Sequence, residues 1–228
     1  MDLTDAPFGL PPLYPIVDPG PPEGASAEEG ARRAEALAAA ILRGGGRILQ
    51  LRMKGPVGGW GTGAVLAAAR RLRSLTRDTG TLFIVNDRVD VALLADADGV
   101  HVGQEDFPCR EARRLLGGRH VIGVSTHTVE EARAAVHDGA DYIGFGPMFP
   151  TTTKTRTRPR RSLDLLREVR AAVSLPLVAI GGITRERIAA VREAGADSVA
   201  VISAIAGAAD PESATRDLLR IARGGEPS

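Results

Sequence analysis

Eight short apolar runs, each followed by a longer stretch with helical spacing, limit what this chain can fold into. The runs are LYPIVD (13–18), RILQLR (47–52), LFIVN (82–86), GVHV (99–102), VIGVS (121–125), YIGFG (142–146), LVAIGG (177–182) and SVAVIS (198–203). They are nearly continuous in valine, isoleucine, leucine and alanine, the pattern of strands covered on both faces of a parallel sheet. Between the first two runs, Ser26 and Glu29 stand at capping-box spacing ahead of a helix that ends on Gly44. TVEEARAAVHDG puts Val129, Ala132 and Val136 on one helical face and stops at Gly139; TRERIAAVREAG does the same with Ile188 and Val191 and stops at Gly195. An Ala-Asp pair recurs at 97–98, 140–141 and 196–197, each leading from a helix end into the fourth, sixth or eighth run. Parallel βα units connect by right-handed crossovers. Eight of them in 228 residues are expected to close as a single-domain α/β protein, a (β/α)8 TIM barrel. A doubly wound open sheet is the competing architecture. The barrel is expected to span residues 13–224 after a flexible tail, 1–12. Pro15 removes a ladder donor from the first run, so that strand is expected to start late or to be irregular.

Bulk properties narrow the function classes. A net charge of +1 argues against broad nucleic-acid binding, and 4% aromatic content argues against a base-stacking platform. No apolar run reaches the length of a membrane span. The proline-rich, acidic start MDLTDAPFGLPP lacks the basic n-region of a secretory signal. The single cysteine, Cys109, permits neither an internal disulfide nor a multi-cysteine metal site. A cytoplasmic protein acting on small molecules is expected, with room for a homo-oligomer.

In such a barrel, chemistry lies at the C-terminal ends of the strands. The second run ends in Gln50 and Arg52, followed by Lys54; the third ends in Asn86, followed by Asp87; the fourth ends in His101, followed by Asp106; and the fifth ends in Ser125. The sixth runs into GPMFPTTTK, the seventh ends in Gly181-Gly182 and the eighth in Ser203. The glycine pair ahead of a helix suits a phosphate cradle, completed by SAIAG after the eighth run, or a plain tight turn. Asp87 and Asp106, on adjacent loops, suit a hard divalent cation such as Mg2+ or serve as loop acids and helix caps. His101 reads equally as a buried histidine and as a substrate contact. His120, His127 and His137 have no evident catalytic partners, and Cys109, near a helix start without a base beside it, reads as inert. The arginines of TRTRPRR (155–161) are either a solvated loop or a basic lid. Of 29 basic residues, 27 are arginine; only Lys54 and Lys154 are lysine. Either this is chance, or two sites need a compact ammonium in place of a planar fork.

Read together, NDRVDVALLADADGVHVGQED, IGVSTHT with its following EEA, GADYIGFGPMFPTTTK, and IGGI with GADSVAVISAI resemble the thiamine phosphate synthase family over residues 13–210. The resemblance implies a transferase that condenses a hydroxymethylpyrimidine diphosphate with a hydroxyethylthiazole phosphate. The products are thiamine phosphate and diphosphate, and the mechanism is dissociative and Mg2+-assisted. It implies that Gln50, Arg52, Lys54 and Asn86 hold the pyrimidine and its diphosphate, with His101 beside the pyrimidine. Asp87 and Asp106 would bind Mg2+, and Lys154 would hold the diphosphate. Ser125, Thr151 and Thr153 would contact substrate, and Gly182, Ile202 and Ser203 would seat the thiazole phosphate. Lys54, Lys154, Asn86 and Ser125 are the expected catalytic group. The segment GPVGGWGTG (55–63) departs from the family in being glycine-rich where a polar helix usually begins; Trp60 within it packs over the site or covers the rim.

Three other readings compete. A related thiazole tautomerase shares the barrel and cradle but has no use for Asp87, Asp106 and Lys154 together. A phosphate-barrel isomerase needs an acid and a base paired across the barrel, which the sequence lacks. A non-catalytic thiazole-phosphate-binding protein has no need of the charged rim.

Overall fold

The computed structural model describes residues 9–20, 24–54, 60–150 and 162–225. Eight parallel strands close a barrel in chain order: β1 (Leu13–Val17), β2 (Ile48–Leu51), β3 (Leu82–Asn86), β4 (Gly99–Val102), β5 (Val121–Thr126), β6 (Tyr142–Phe145), β7 (Leu177–Ile180) and β8 (Ser198–Val201). Around them lie α1 (Ala27–Arg43), α2 (Thr62–Thr76), α3 (Val89–Leu94), α4 (Cys109–Leu116), α5 (Val129–His137), α6 (Leu163–Ala172), α7 (Ile188–Glu193), a short α8 (Ser203–Ala206) and the closing α9 (Pro211–Ala222). Pairing of β1 with β8, Leu13 to Val199 through Pro15 to Val201, closes the sheet and excludes the open alternative. No described helix is long and apolar enough to cross a membrane.

The first strand corrects one expectation. It starts at Leu13 and runs straight through Pro15. Residues 13–15 pair with β8, whereas Ile16 and Val17 pair with β2, so the missing donor falls where the strand changes partner and costs little of either ladder.

Alternation along each strand divides the core in two. Leu49, Leu51, Phe83, Val85, Ile122, Ile143 and Leu177 face outward and pack under the helices, against Ala34, Ile41, Leu72, Leu166 and Ile188. Tyr14, Ile16, Ile48, Ile84, Val121, Tyr142, Val178 and Ala200 face inward and fill the barrel. Each large aliphatic so buried contributes roughly 1.5–3 kcal/mol.

The helix signals hold at their starts. Ser26 Oγ accepts the N–H of Glu29 at 3.1 Å, and Thr128 Oγ1 caps α5 by accepting the N–H of Glu131 at 3.1 Å. Gly44 caps α1, and the chain leaves through Gly45 at φ 94°. On α5 the buried face is Ala132 and Ala135, while Val136 is 40% exposed. Positions three and four residues on share one helix face, so spacing alone does not choose between them.

The recurring Ala-Asp pairs are one structural device used three times. Asp98 Oδ2 accepts from the N–H of Phe83 at 2.7 Å and from Arg73 at 3.0 Å. Asp141 Oδ2 accepts from Ile122 N–H at 2.6 Å and from Arg113 at 2.5 Å. Asp197 Oδ2 accepts from Leu177 N–H and Arg170, both at 2.8 Å. Each carboxylate thus ties an even-numbered strand to the start of the strand before it and to an arginine late in α2, α4 or α6. These clamps lie at the N-terminal end of the barrel, the end that serves stability, and leave the opposite rim for chemistry.

Candidate active site

Strand period sets the rim. With Ile48, Ile84 and Val121 pointing inward, every second residue beyond them points inward too: Gln50 on β2, Asn86 on β3 and Ser125 on β5. Asn86 pairs in register with His101 on β4, and His101 with Gly123 on β5. The predicted polar residues of four consecutive strands therefore share one mouth.

Past β3 the backbone turns over sharply. Asp87 takes φ 61°, a conformation few non-glycine residues adopt, while its N–H still donates to His101 O at 2.7 Å. This turn presents the Asp87 carboxylate to Lys54, with which it forms an ion pair. Asp106 is the second carboxylate here, its Oδ2 accepting the Gly103 N–H at 3.0 Å. Burial pushes the Asp87 carboxyl up to about 6; Lys54 opposes the shift and Asp106 adds to it. Two carboxylates within mutual influence, one of them largely shielded from solvent, form a hard-oxygen donor set. That set fits Mg2+, which takes one or two protein carboxylates and completes its octahedron with phosphate oxygens and water. Among the described residues, no group of three or more histidine, cysteine, aspartate or glutamate side chains gathers as a metal cage.

Arg52 follows β2, and its N–H continues the ladder by donating to Val17 O at 2.9 Å. Its guanidinium is ion-paired with Asp18, the residue after β1, with both side chains nearly buried at 12% and 9% exposure. Asp18 lies at the same rim and was not among the sequence candidates. It ends the first run, where an acid follows five apolar residues, and that position at a strand end was the available signal.

Deeper in the barrel, Gln50, Tyr14, Tyr142, His101 and Ser125 are linked by hydrogen bonds. His101 is thus both a partly buried histidine and a rim residue, held between the barrel core and Ser125. Glycine makes this possible. A Cβ on Gly123 would fall 2.0 Å from Tyr142 Cζ and 2.5 Å from His101 Nδ1, and one on Gly144 would fall 3.0 Å from His101 Cε1. The two tyrosines went unnoticed in sequence because tyrosine reads as an ordinary strand former.

After β7, Gly181 and Gly182 take φ 101° and 61°. Side chains there would collide with the β6 loop: a Cβ on Gly181 would lie 2.7 Å from Pro147, and one on Gly182 would lie 2.4 Å from Pro150 O. The two loops are laced by Met148 N–H to Ile180 O and Phe149 N–H to Gly181 O, both at 3.0 Å. Arg187 donates to Gly182 O at 2.7 Å and stacks 4.5 Å over the Phe149 ring. Beyond β8, Ile202 is the N-cap of α8, which opens at Ser203. A short extra helix after the last strand, facing the loop after β7, is the usual frame of a phosphate site in this fold.

Other sequence candidates resolve differently. Trp60 packs on α1, where a Cβ on Gly30 would lie 2.3 Å from its ring, and donates to Gly20 O at 2.9 Å, so it fills the space between α1 and the loop after β1. His120 Nδ1 bonds Leu116 O, and His127 Nδ1 bonds Gly146 O, each at 2.6 Å, so both are structural. His137 lies exposed beside Asp138 and Arg110. Cys109 is buried, its Sγ 3.5 Å from Asp138 O, and burial pushes its thiol up to about 11. Thr151, Thr153, Lys154 and the arginines of 155–161 lie outside the described residues.

A family model described as thiamine monophosphate synthase matches residues 13–205. The thiamine-phosphate synthase of Chloroflexus aurantiacus is 47% identical over 206 residues, covering 90% of each chain. That of Methanocella arvoryzae is 48% identical over 209 residues, covering 92% of this chain and 93% of its own. Among solved structures, the thiamine phosphate pyrophosphorylase from Pyrococcus furiosus superposes with a TM-score of 0.78 at 35% identity, covering 93% of this chain and 96% of that one. The 3-hexulose-6-phosphate synthase from Salmonella typhimurium, at 16% identity and a TM-score of 0.69, shares the fold.

Proposed function

The chain belongs to the thiamine monophosphate synthase family, and on that premise we propose that it joins a hydroxymethylpyrimidine diphosphate to a hydroxyethylthiazole phosphate, releasing diphosphate and forming thiamine phosphate. Its class is that of a transferase of thiamine biosynthesis. The observation that carries the finer reading is the meeting of Lys54, Asp87 and Asp106 at the ends of β2, β3 and β4.

The bond to break is the C–O bond between the pyrimidine methylene and the diphosphate. It cleaves heterolytically: the diphosphate leaves with the electron pair, and the pyrimidine-methyl cation is captured by the thiazole nitrogen lone pair. Negative charge grows on the departing oxygen, so catalysis consists of preorganised positive charge and donors at that point. Lys54 supplies a compact ammonium there, and Lys154 a second. Bound at Asp87 and Asp106, Mg2+ would supply further charge neutralisation for the diphosphate oxygens. Arg52, held by Asp18, presents a fixed guanidinium. Gln50, Asn86 and His101 orient the pyrimidine, and Ser125 donates toward the substrate. The loop at Gly182 and the opening of α8 at Ile202 and Ser203 offer backbone amides to the thiazole phosphate. Thr151 and Thr153 extend the substrate contacts. The reaction calls for no nucleophilic side chain.

The test is direct. Purified protein incubated with both substrates and Mg2+ forms thiamine phosphate, and EDTA abolishes it. Tautomerisation of the thiazole phosphate alone, without condensation, would overturn the reading.

A further inference from the structure

The hydrogen bonds inside the barrel form one unbroken chain. Gln50 Nε2 donates to Tyr14 Oη at 3.1 Å, the Tyr14 and Tyr142 hydroxyls lie 2.7 Å apart, Tyr142 Oη lies 3.0 Å from His101 Nδ1, and His101 Nε2 lies 2.9 Å from Ser125 Oγ. Both tyrosines are fully buried, and that burial keeps both as phenols by raising their pKa values. Each therefore has a single hydrogen to give.

That count gives the chain a direction. Tyr14 accepts from the Gln50 amide, and among the described residues its own buried hydrogen finds an acceptor in Tyr142. Tyr142, which takes that hydrogen and also lies beside the Gln50 amide, gives its own to His101 Nδ1. The ring hydrogen must then sit on Nε2, from which it is donated to Ser125 Oγ. The Ser125 hydrogen is left to point away from the chain, into the half-open mouth of the barrel. The opposite direction requires the Gln50 amide to turn its oxygen to Tyr14. Nδ1 would then carry the hydrogen, Ser125 would spend its own on His101, and only lone pairs would face the substrate. A site that receives a departing anion gains from a donor and loses from an extra acceptor.

We propose that Tyr14 and Tyr142 are positioning residues: they fix His101 as the Nε2–H tautomer and thereby hold the Ser125 hydroxyl as a donor to the substrate. The inference rests on the functional reading above. It also accounts for Gly123 and Gly144, which interrupt two apolar strands at the places where Tyr142 and His101 need the room.

The experiment is 15N NMR of histidine-labelled protein at neutral pH without substrates, with His101 assigned among the four histidines by its loss in His101→Asn. The expected result is a protonated-type Nε2 and an unprotonated Nδ1. Tyr142→Phe should then lose the single-tautomer signature, with kcat falling about tenfold, the scale of one hydrogen bond, and KM moving far less. Tyr14→Phe, which keeps Tyr142 in place, should do the same more weakly. An Nδ1–H tautomer in an active wild type overturns the chain's direction. An unchanged tautomer and unchanged kcat in Tyr142→Phe overturn the positioning role. A wild type that makes no thiamine phosphate overturns the functional reading, and with it the role in that reaction, whatever tautomer is found.

Discussion

Lys54 is ion-paired with Asp87, a carboxylate that burial pushes up to about 6 even with that ammonium beside it. Two residues expected to serve separate purposes, one toward diphosphate and one toward metal, are thus neighbours across adjacent strand ends. A compact ammonium can move between the carboxylate and a phosphate oxygen; a planar guanidinium would tend to lock onto the carboxylate in a bidentate pair. Lys54→Arg is therefore expected to keep the fold and lower kcat by about a hundredfold, the scale of a lost transition-state charge contact. Circular dichroism and steady-state kinetics check it. Near-wild-type turnover would remove the argument that lysine was kept here for its shape.

Asp18 holds the Arg52 guanidinium in an ion pair. Replacing its carboxylate leaves a nearly buried guanidinium without its partner. Asp18→Asn is expected to raise KM for the pyrimidine diphosphate about tenfold, leave KM for the thiazole phosphate within a factor of about two, and be partly rescued by Asp18→Glu. Equal effects on both substrates would make Asp18 a general stabiliser instead.

The clamp at Asp141 predicts the reverse profile. Its Oδ2 satisfies both Ile122 N–H and Arg113 at the end of the barrel remote from the rim. Asp141→Ala is expected to lower stability by about 1–3 kcal/mol in urea unfolding, from the donors left unsatisfied, with kcat unchanged within about twofold. A large loss of kcat in a folded variant would contradict the division of labour between the two ends.

Cys109 supplies a pH test. Burial raises its thiol from 9.0 to about 11, so in the folded protein it stays protonated at pH 8. Alkylation at pH 8 is expected to be slow in native protein and fast in urea. Because the folded-state pKa is the higher one, the group's contribution to stability is fully present below about 9 and is lost as pH rises through about 11. Rapid alkylation of the native protein would show that the thiol is open.

The barrel could be read from the chain because eight apolar runs alternate with helical stretches in one repeated local pattern, and each strand lies within two residues of its run. Gln50, Asn86, His101 and Ser125 were legible for the same reason: period-two alternation aims them at one mouth once the strands are known. The pairings were not legible, because they join residues distant in sequence. Nothing local in LYPIVD tells that Asp18 meets Arg52 or that Tyr14 meets Tyr142. Gly123 and Gly144 did carry a signal, since glycine inside a strand marks a close approach, but it does not name the approaching group. Pro15 misled in the other direction, because a change of pairing partner along β1 absorbs its missing donor.

In the proposed reaction, Asp87 and Asp106 hold the metal on which departure of the diphosphate depends. The measurement that tests it most directly is thiamine phosphate formation as a function of Mg2+ concentration, in wild type and in Asp87→Asn. The account predicts a saturable Mg2+ dependence in wild type and at least about a tenfold higher Mg2+ requirement in the variant, as one of two anionic ligands is lost. Superimposable Mg2+ curves, or product formed equally well in EDTA, would contradict it.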